Sequence, residues 1–197
     1  RNGGQRDDAF LALNPSGMIP VLETQQGALF ETGAILLWLA DRHKMMAPGV
    51  RDAGRGDFLK WLFFTSSTLH ADLRITFYPG QYAGSGPATL QALRKKVQER
   101  VLRHFGLLDD AVGAPWLGGE NPSVLDLYVA VCARWMAIYP EEGPRAEAQL
   151  RDFPALYAMA ERLEARPAIQ RACAAEGLGP HPFTRPERPN PPEGSAT

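Results

Sequence analysis

The sequence predicts an α+β chain: a small unit of short strands and one helix, followed by an all-helical bundle. Three observations predict it. Within residues 13–31, two short apolar runs at 18–22 and 28–30 are separated by turn residues. Over residues 45–56, Pro48, Gly49, Gly54 and Gly56 interrupt the pattern and read as a linker. From Asp57 onward apolar residues recur at three- and four-residue steps, the spacing of one helix face.

Residues 1–8 are polar and Gly-rich and read as a loop or ragged end, with one or two helical turns at 9–13. Asn14, Pro15, Ser16 and Gly17 make a turn, because Pro fixes φ and Gly supplies the conformations other residues resist. The run at 18–22 is apolar enough for a buried strand, yet Pro20 cannot donate to a ladder. Such a Pro suits a bulge, a strand start or a cis turn; with Ile19–Pro20 cis, the Ile19 N–H and C=O turn outward toward an extended ligand. Gln25, Gln26 and Gly27 reverse the chain into Ala28, Leu29 and Phe30 as a hairpin. Thr32 is placed as the N-cap of a helix through Ile35, Leu36, Trp38 and Leu39 that ends near His43 and Lys44. That helix N-terminus offers free N–H groups and a positive dipole end to a carboxylate.

Past the linker, Phe58, Leu59, Trp61, Leu62, Leu69 and Leu73 fit a long buried helix that breaks at Pro79 and Gly80. A second helix opens at Pro87 and carries Leu90, Leu93, Val97, Val101, Phe105 and Leu108, so the two form an antiparallel pair. Ser123 and Asp126 make a capping box, with Asp in place of the usual Glu or Gln, before an apolar helix through Tyr128, Val131, Trp135 and Ile138. Both residues read as structural, outside any active site. Asp152 is expected to cap a helix with Pro154 in its first turn, Pro167 to end it, and a short helix to run from Ala168 to a stop at Gly177. Residues 179–197 are Pro-rich and read as an extended or disordered tail that wraps the surface.

The segment NPSGMIPVLE followed by ETGAILLWLADR resembles the second half of the glutathione-binding domain of cytosolic glutathione transferases. The Ser123 and Asp126 box resembles the cap of the central helix in that family's all-helical domain. The resemblance implies an incomplete thioredoxin-like domain over residues 1–46, a linker at 47–56, a helical domain at 57–178 and the tail at 179–197. It also implies a glutathione site. Ile19, before the cis Pro20, pairs by backbone with the cysteinyl part; Glu31 and Thr32 bind the γ-glutamyl end. Met18 departs from the polar residue often found at its position. In the family's strand order 2-1-3-4, this sequence has counterparts of strands three and four and the last helix. The first strand, its helix, the second strand and the catalytic Ser, Tyr or Cys are expected in an N-terminal segment outside this sequence. A half-domain completed by a partner is the alternative.

His70, Arg74 and Tyr78 stand at four-residue steps on the long helix, on one face. In the resembled family that helix borders the electrophile pocket, so these residues, with Tyr82, are expected to line it. A polar or dimer-facing stripe is the alternative. His43, His104 and His181 lack ligand spacing and are placed on the surface, and Cys132, amid apolar residues, in the core.

Composition limits the function classes. A net charge of −1 argues against nucleic acid as the main partner, and the apolar runs are too short and interrupted for a bilayer. Cys132 and Cys173 make neither a disulfide framework nor a metal spacing, which suits a reducing, cytoplasmic compartment. The resemblance implies a homodimer that adds the glutathione thiolate to a small hydrophobic electrophile, with glutathione as co-substrate and no metal. A glutathione-dependent disulfide reductase and a non-catalytic binding protein on the same fold are the alternatives.

Overall fold

A computed structural model describes residues 4–140, 145–146 and 148–190. A 3₁₀ turn (Gly4–Arg6) and a one-turn helix α1 (Asp8–Leu11) lead to the Asn14 turn. Buried Asn14 shapes that turn: its Nδ2 donates to Met18 O at 2.6 Å, and its Oδ1 accepts Ser16 N at 3.0 Å and Ser16 Oγ at 2.8 Å. Strands β1 (Val21–Thr24) and β2 (Gly27–Phe30) pair antiparallel, from Val21 opposite Phe30 to Thr24 opposite Gly27. The first strand therefore starts at Val21, three residues later than the apolar run suggested. Pro20 has no N–H for the ladder, and the Ile19–Pro20 peptide is cis.

Helix α2 (Thr32–His43) closes on Lys44 in the left-handed conformation. Its start corrects the sequence reading. Thr32 is the first helical residue and Glu31 occupies the cap position, with no side-chain capping bond. The connection that follows is pinned at several points. Arg55 forms a two-pronged ion pair with Asp41 (2.6 and 2.7 Å) and donates to Pro48 O, while Val124 N donates to Met46 O at 2.8 Å.

The long helix predicted past the linker forms as α3 (Arg55–Phe64), a π-helical turn (Thr65–Leu69) and α4 (His70–Phe77). After a one-turn helix α5 (Gly80–Ala83), α6 (Pro87–Ala111) returns antiparallel to it. Asp72, almost fully buried, accepts His104 Nε2 at 2.9 Å and Arg100 Nε at 3.0 Å, and Arg94 Nε donates to Thr76 O at 3.1 Å. His104 is thus not the surface residue the spacing implied; it is half-buried between Asp72 and the Phe64 ring. His181 keeps 41% of its side chain exposed, as its surface placement expects, and lies 3.3 Å from Glu164.

The central helix α7 (Val124–Ile138) opens on a complete capping box. Ser123 Oγ accepts Leu125 N at 3.1 Å and Asp126 N at 3.3 Å, and Asp126 accepts Ser123 N and Gly118 N at 2.7 Å each. Burial raises the Asp126 pKa against the opposing pull of these bonds. Helices α8 (Pro154–Glu164) and α9 (Pro167–Glu176) complete the bundle. Asp152 does not cap α8: it closes a box on the preceding 3₁₀ turn (Leu150–Asp152), accepting Gln149 N at 2.8 Å. The core joins Phe58, Leu62, Leu69 and Leu73 to Val101, Phe105 and Leu108, to Leu125 and Val129, and to Leu156 and Ala160.

Residues 179–190 are not a loose tail. Phe183 is buried, Glu164 holds the backbone N–H of Phe183 and Thr184 at 2.8 Å each, and Arg134 donates to Pro182 O and Glu187 O. The rest of the predicted tail, 191–197, and the N-terminal residues 1–3 lie outside the described residues. Among the described residues no helix is long and apolar enough to cross a membrane.

Candidate functional site

The site is built where the hairpin meets the helical bundle. The β1–β2 register puts Pro20, just before Val21, and Glu31, just after Phe30, at the same end of the hairpin. Ile19 is 48% exposed, and among the described residues no backbone hydrogen bond engages its N–H or C=O. A free donor and acceptor on one exposed residue is what an extended peptide-like ligand pairs with.

Glu31 has φ 73° and ψ 117°. A side chain at positive φ outside the left-handed well costs on the order of 1–3 kcal/mol, and such residues gather at ligand clamps. The strain sets Glu31, whose side chain is exposed, beside the open N-terminus of α2. Next to it, Gly33 faces the π-helical turn, where a Cβ would meet the Ser66 Cβ at 3.4 Å, an ordinary contact.

Across this junction Tyr128 of α7 lies near the Thr32 side chain. The Tyr128 hydroxyl lies 2.7 Å from His70 Nδ1 at the start of α4. Tyr128 is 3% exposed, and its pKa is raised, chiefly by burial. The His70 ring packs edge-on against Tyr128 and, tilted, against Trp135 at 4.9 Å between centroids. Burial first, and the Arg74 charge second, lower the His70 pKa, so its imidazole is neutral at neutral pH.

Arg74 lies one turn beyond His70, with a buried Nε that has no hydrogen-bond partner. Tyr78 does not continue their helical stripe. It caps α4 at φ −126° and ψ 52° because the residue before a Pro avoids the helical region. Tyr82 stands on α5, about half exposed. Ser123 and Asp126 cap α7, and Cys132, fully buried one turn from Tyr128, has its thiol pKa pushed up by burial.

The sequence places Tyr128 and Trp135 on an apolar helix and does not connect Tyr128 with His70. A hydroxyl-bearing aromatic in an otherwise apolar helix was the available signal, since a buried Tyr O–H finds a partner.

Residues 1–42 match the sequence profile of the glutathione S-transferase N-terminal domain, and residues 71–175 that of the C-terminal domain. The chain is 30% identical over 186 residues to the disulfide-bond oxidoreductase YfcG of Escherichia coli strain K12, covering 90% of this chain and 81% of that protein. It is 28% identical over 178 residues to the glutathione S-transferase GstA of Escherichia coli O157:H7, covering 88% and 81%. Among solved structures, a sphingomonad glutathione S-transferase complexed with glutathione superposes with a TM-score of 0.69 at 32% identity, over 86% of this chain and 79% of that one. The hairpin and α2 thus form part of a thioredoxin-like domain followed by a helical domain, and the chain belongs to the cytosolic glutathione S-transferase family.

Proposed function

We propose that this protein binds glutathione at the hairpin–bundle junction and conjugates its thiolate to a small hydrophobic electrophile. The Ile19 N–H and C=O pair with the cysteinyl unit, and Pro20 shapes that backbone. The γ-glutamyl carboxylate sits at the α2 N-terminus against the Thr32 hydroxyl, and Glu31 takes the γ-glutamyl ammonium. The observation that carries this reading is the strained Glu31 backbone beside an open helix N-terminus, at the same hairpin end as an unpaired Ile19. That N-terminus favours an anion by about 0.3–1 kcal/mol.

In the reaction the thiol gives up its proton, the thiolate attacks an electrophilic carbon, and a leaving group departs or a double bond takes up the addition. The protein lowers the thiol pKa and orients the sulfur. His70, Arg74, Tyr78 and Tyr82 border the electrophile, and the active form is a cytoplasmic homodimer. Retention on immobilised glutathione, followed by turnover of an aryl halide with free glutathione, tests the proposal. A native protein that ignores glutathione refutes it and leaves the non-catalytic binding protein.

The similarity to a disulfide-bond oxidoreductase favours a second reading, glutathione-dependent disulfide reduction at the same site. Reduction of a small mixed disulfide, with no conjugation of aryl halides, would select it.

A further inference from the structure

Helices α4 and α7 lie side by side, and half-buried rings line the groove between them. On α4 the rings are His70 and Phe77; on α7 they are Trp135 and, at its end, Tyr139. His70 packs on Trp135 at 4.9 Å between centroids, and Phe77 on Tyr139 at 5.5 Å. Arg74 stands between these two contacts, one helical turn from His70 and one from Phe77, and so shares the face that borders the groove. We propose that this groove takes a planar aromatic carboxylate, with Arg74 pairing the carboxylate and the rings of His70, Phe77 and Trp135 flanking the aromatic body. The inference rests on the glutathione reading above and narrows its electrophile to aromatic acids.

The Arg74 Nε–H is buried and has no hydrogen-bond partner. A buried N–H left unpaired is costly, and most such groups in folded proteins are paired. Nothing beside Arg74 supplies an anion. Asp72, two residues earlier, is occupied on the α6 side, where it accepts from His104 and Arg100. His70, one turn away, brings no negative charge in either protonation state. A carboxylate arriving with a ligand can accept Nε–H and a terminal N–H together, the two-pronged geometry that a guanidinium favours.

The rings decide what carries that carboxylate. His70, Phe77, Trp135 and Tyr139 are each only half-buried, so each keeps part of its ring for a ligand. A flat aromatic body gains offset or edge-to-face contacts with such rings beyond the area it buries. An aliphatic acid would satisfy Arg74 and leave the rings unfilled, and a neutral arene would do the reverse. On an aromatic acid that carries a halide, conjugation forms the sulfur–carbon bond, breaks the carbon–halogen bond, and releases halide and the thiol proton.

Calorimetric titration of the native protein, without glutathione, tests this with three ligands: 2-naphthoate, its neutral analogue 2-naphthamide, and the non-aromatic cyclohexanecarboxylate. 2-Naphthoate should bind roughly 10- to 100-fold more tightly than 2-naphthamide, as for one charge-assisted hydrogen bond, and more tightly than cyclohexanecarboxylate. Arg74→Met should abolish the preference for the acid and keep the affinity for 2-naphthamide. Arg74→Lys should retain part of the preference. Imidazole NMR places the ligand. The Arg74 charge lowers the His70 pKa, so a carboxylate that neutralises it should move the His70 titration upward. That movement should appear with 2-naphthoate in the wild type, and neither with 2-naphthamide nor in Arg74→Met. Equal affinity for the acid and its amide, a preference that survives Arg74→Met, cyclohexanecarboxylate binding as well as 2-naphthoate, or an unmoved His70 titration overturns the proposal. Retention on immobilised glutathione is read separately. A failed groove with intact retention leaves the transferase reading standing, and 2-naphthoate binding without retention leaves the aromatic-acid site and removes the transferase.

Discussion

Glu164 on α8 holds Thr184 twice, accepting its backbone N–H and its hydroxyl at 2.8 Å each. The same carboxylate accepts Phe183 N at 2.8 Å, so a buried anion organises the segment that follows α9. A glutamine keeps one acceptor oxygen and turns the other into an NH₂ that faces the Thr184 hydroxyl and His181. Glu164→Gln should therefore cost about 1–3 kcal/mol in urea unfolding. Proteolysis should then cut first within residues 179–190, and an uncut segment would refute the role. Gly177→Ala should release the same segment, because Gly177 sits at φ +64° and an added Cβ would overlap the Asn190 carbonyl.

The Glu31 backbone predicts opposed effects on stability and binding. Glycine adopts φ 73° without a Cβ penalty, so Glu31→Gly removes strain while deleting the carboxylate. The variant should gain up to about 1 kcal/mol in unfolding free energy and lose roughly tenfold in glutathione affinity. Glu31→Gln should lose affinity without gaining stability. A Glu31→Gly protein that binds glutathione as wild type would remove Glu31 from the site.

How far these features were legible depends on how local their causes are. The Ser123–Asp126 box was legible because a cap is settled within four residues. The Asn14 turn, the hairpin and α2 were legible for the same reason. Glu31 was placed by resemblance, but its strain was not visible, because it arises where β2 and α2 are joined at a fixed angle. Thr32 was read as a cap from residue type; the hairpin decides which residue leaves the helix, and it leaves at Glu31. The Tyr128–His70 contact joins residues 58 apart in sequence, and helical periodicity carries no such information. Arg134 offered an unused hint: a lone cation in the apolar run of α7 needs buried acceptors, and it finds the carbonyls of Pro182 and Glu187.

His70 predicts an acid sensitivity of known sign. Its pKa in the fold is below the ordinary His value, so the unfolded chain binds the proton more tightly. Stability from this group is complete above the ordinary value, near 6.5, and is lost as pH falls through it toward the lowered folded value. The loss in unfolding free energy between about pH 7 and pH 5 should shrink in His70→Gln. An unchanged loss would show that His70 is not buried as neutral imidazole. Arg74 contributes to the lowering, so Arg74→Met should move the His70 titration upward.

Arg74 also predicts which electrophiles are preferred. Its Nε is buried without a partner, and among the described residues no carboxylate forms an ion pair with it. A half-buried cation in that state gains most from an anion that arrives with the ligand, since charge-assisted hydrogen bonds are worth about 1.5–3 kcal/mol. Electrophiles bearing a carboxylate should be used in preference to neutral analogues of the same reactivity. Arg74→Met should lower kcat/KM for the acidic substrate by roughly 10- to 100-fold and leave the neutral one within about twofold. Arg74→Lys should recover only part of the loss, because an ammonium keeps the charge but not the planar fork. Equal losses on both substrates would instead mean that Arg74 acts through His70, whose pKa it shifts, and the His70 titration in Arg74→Met separates the two roles.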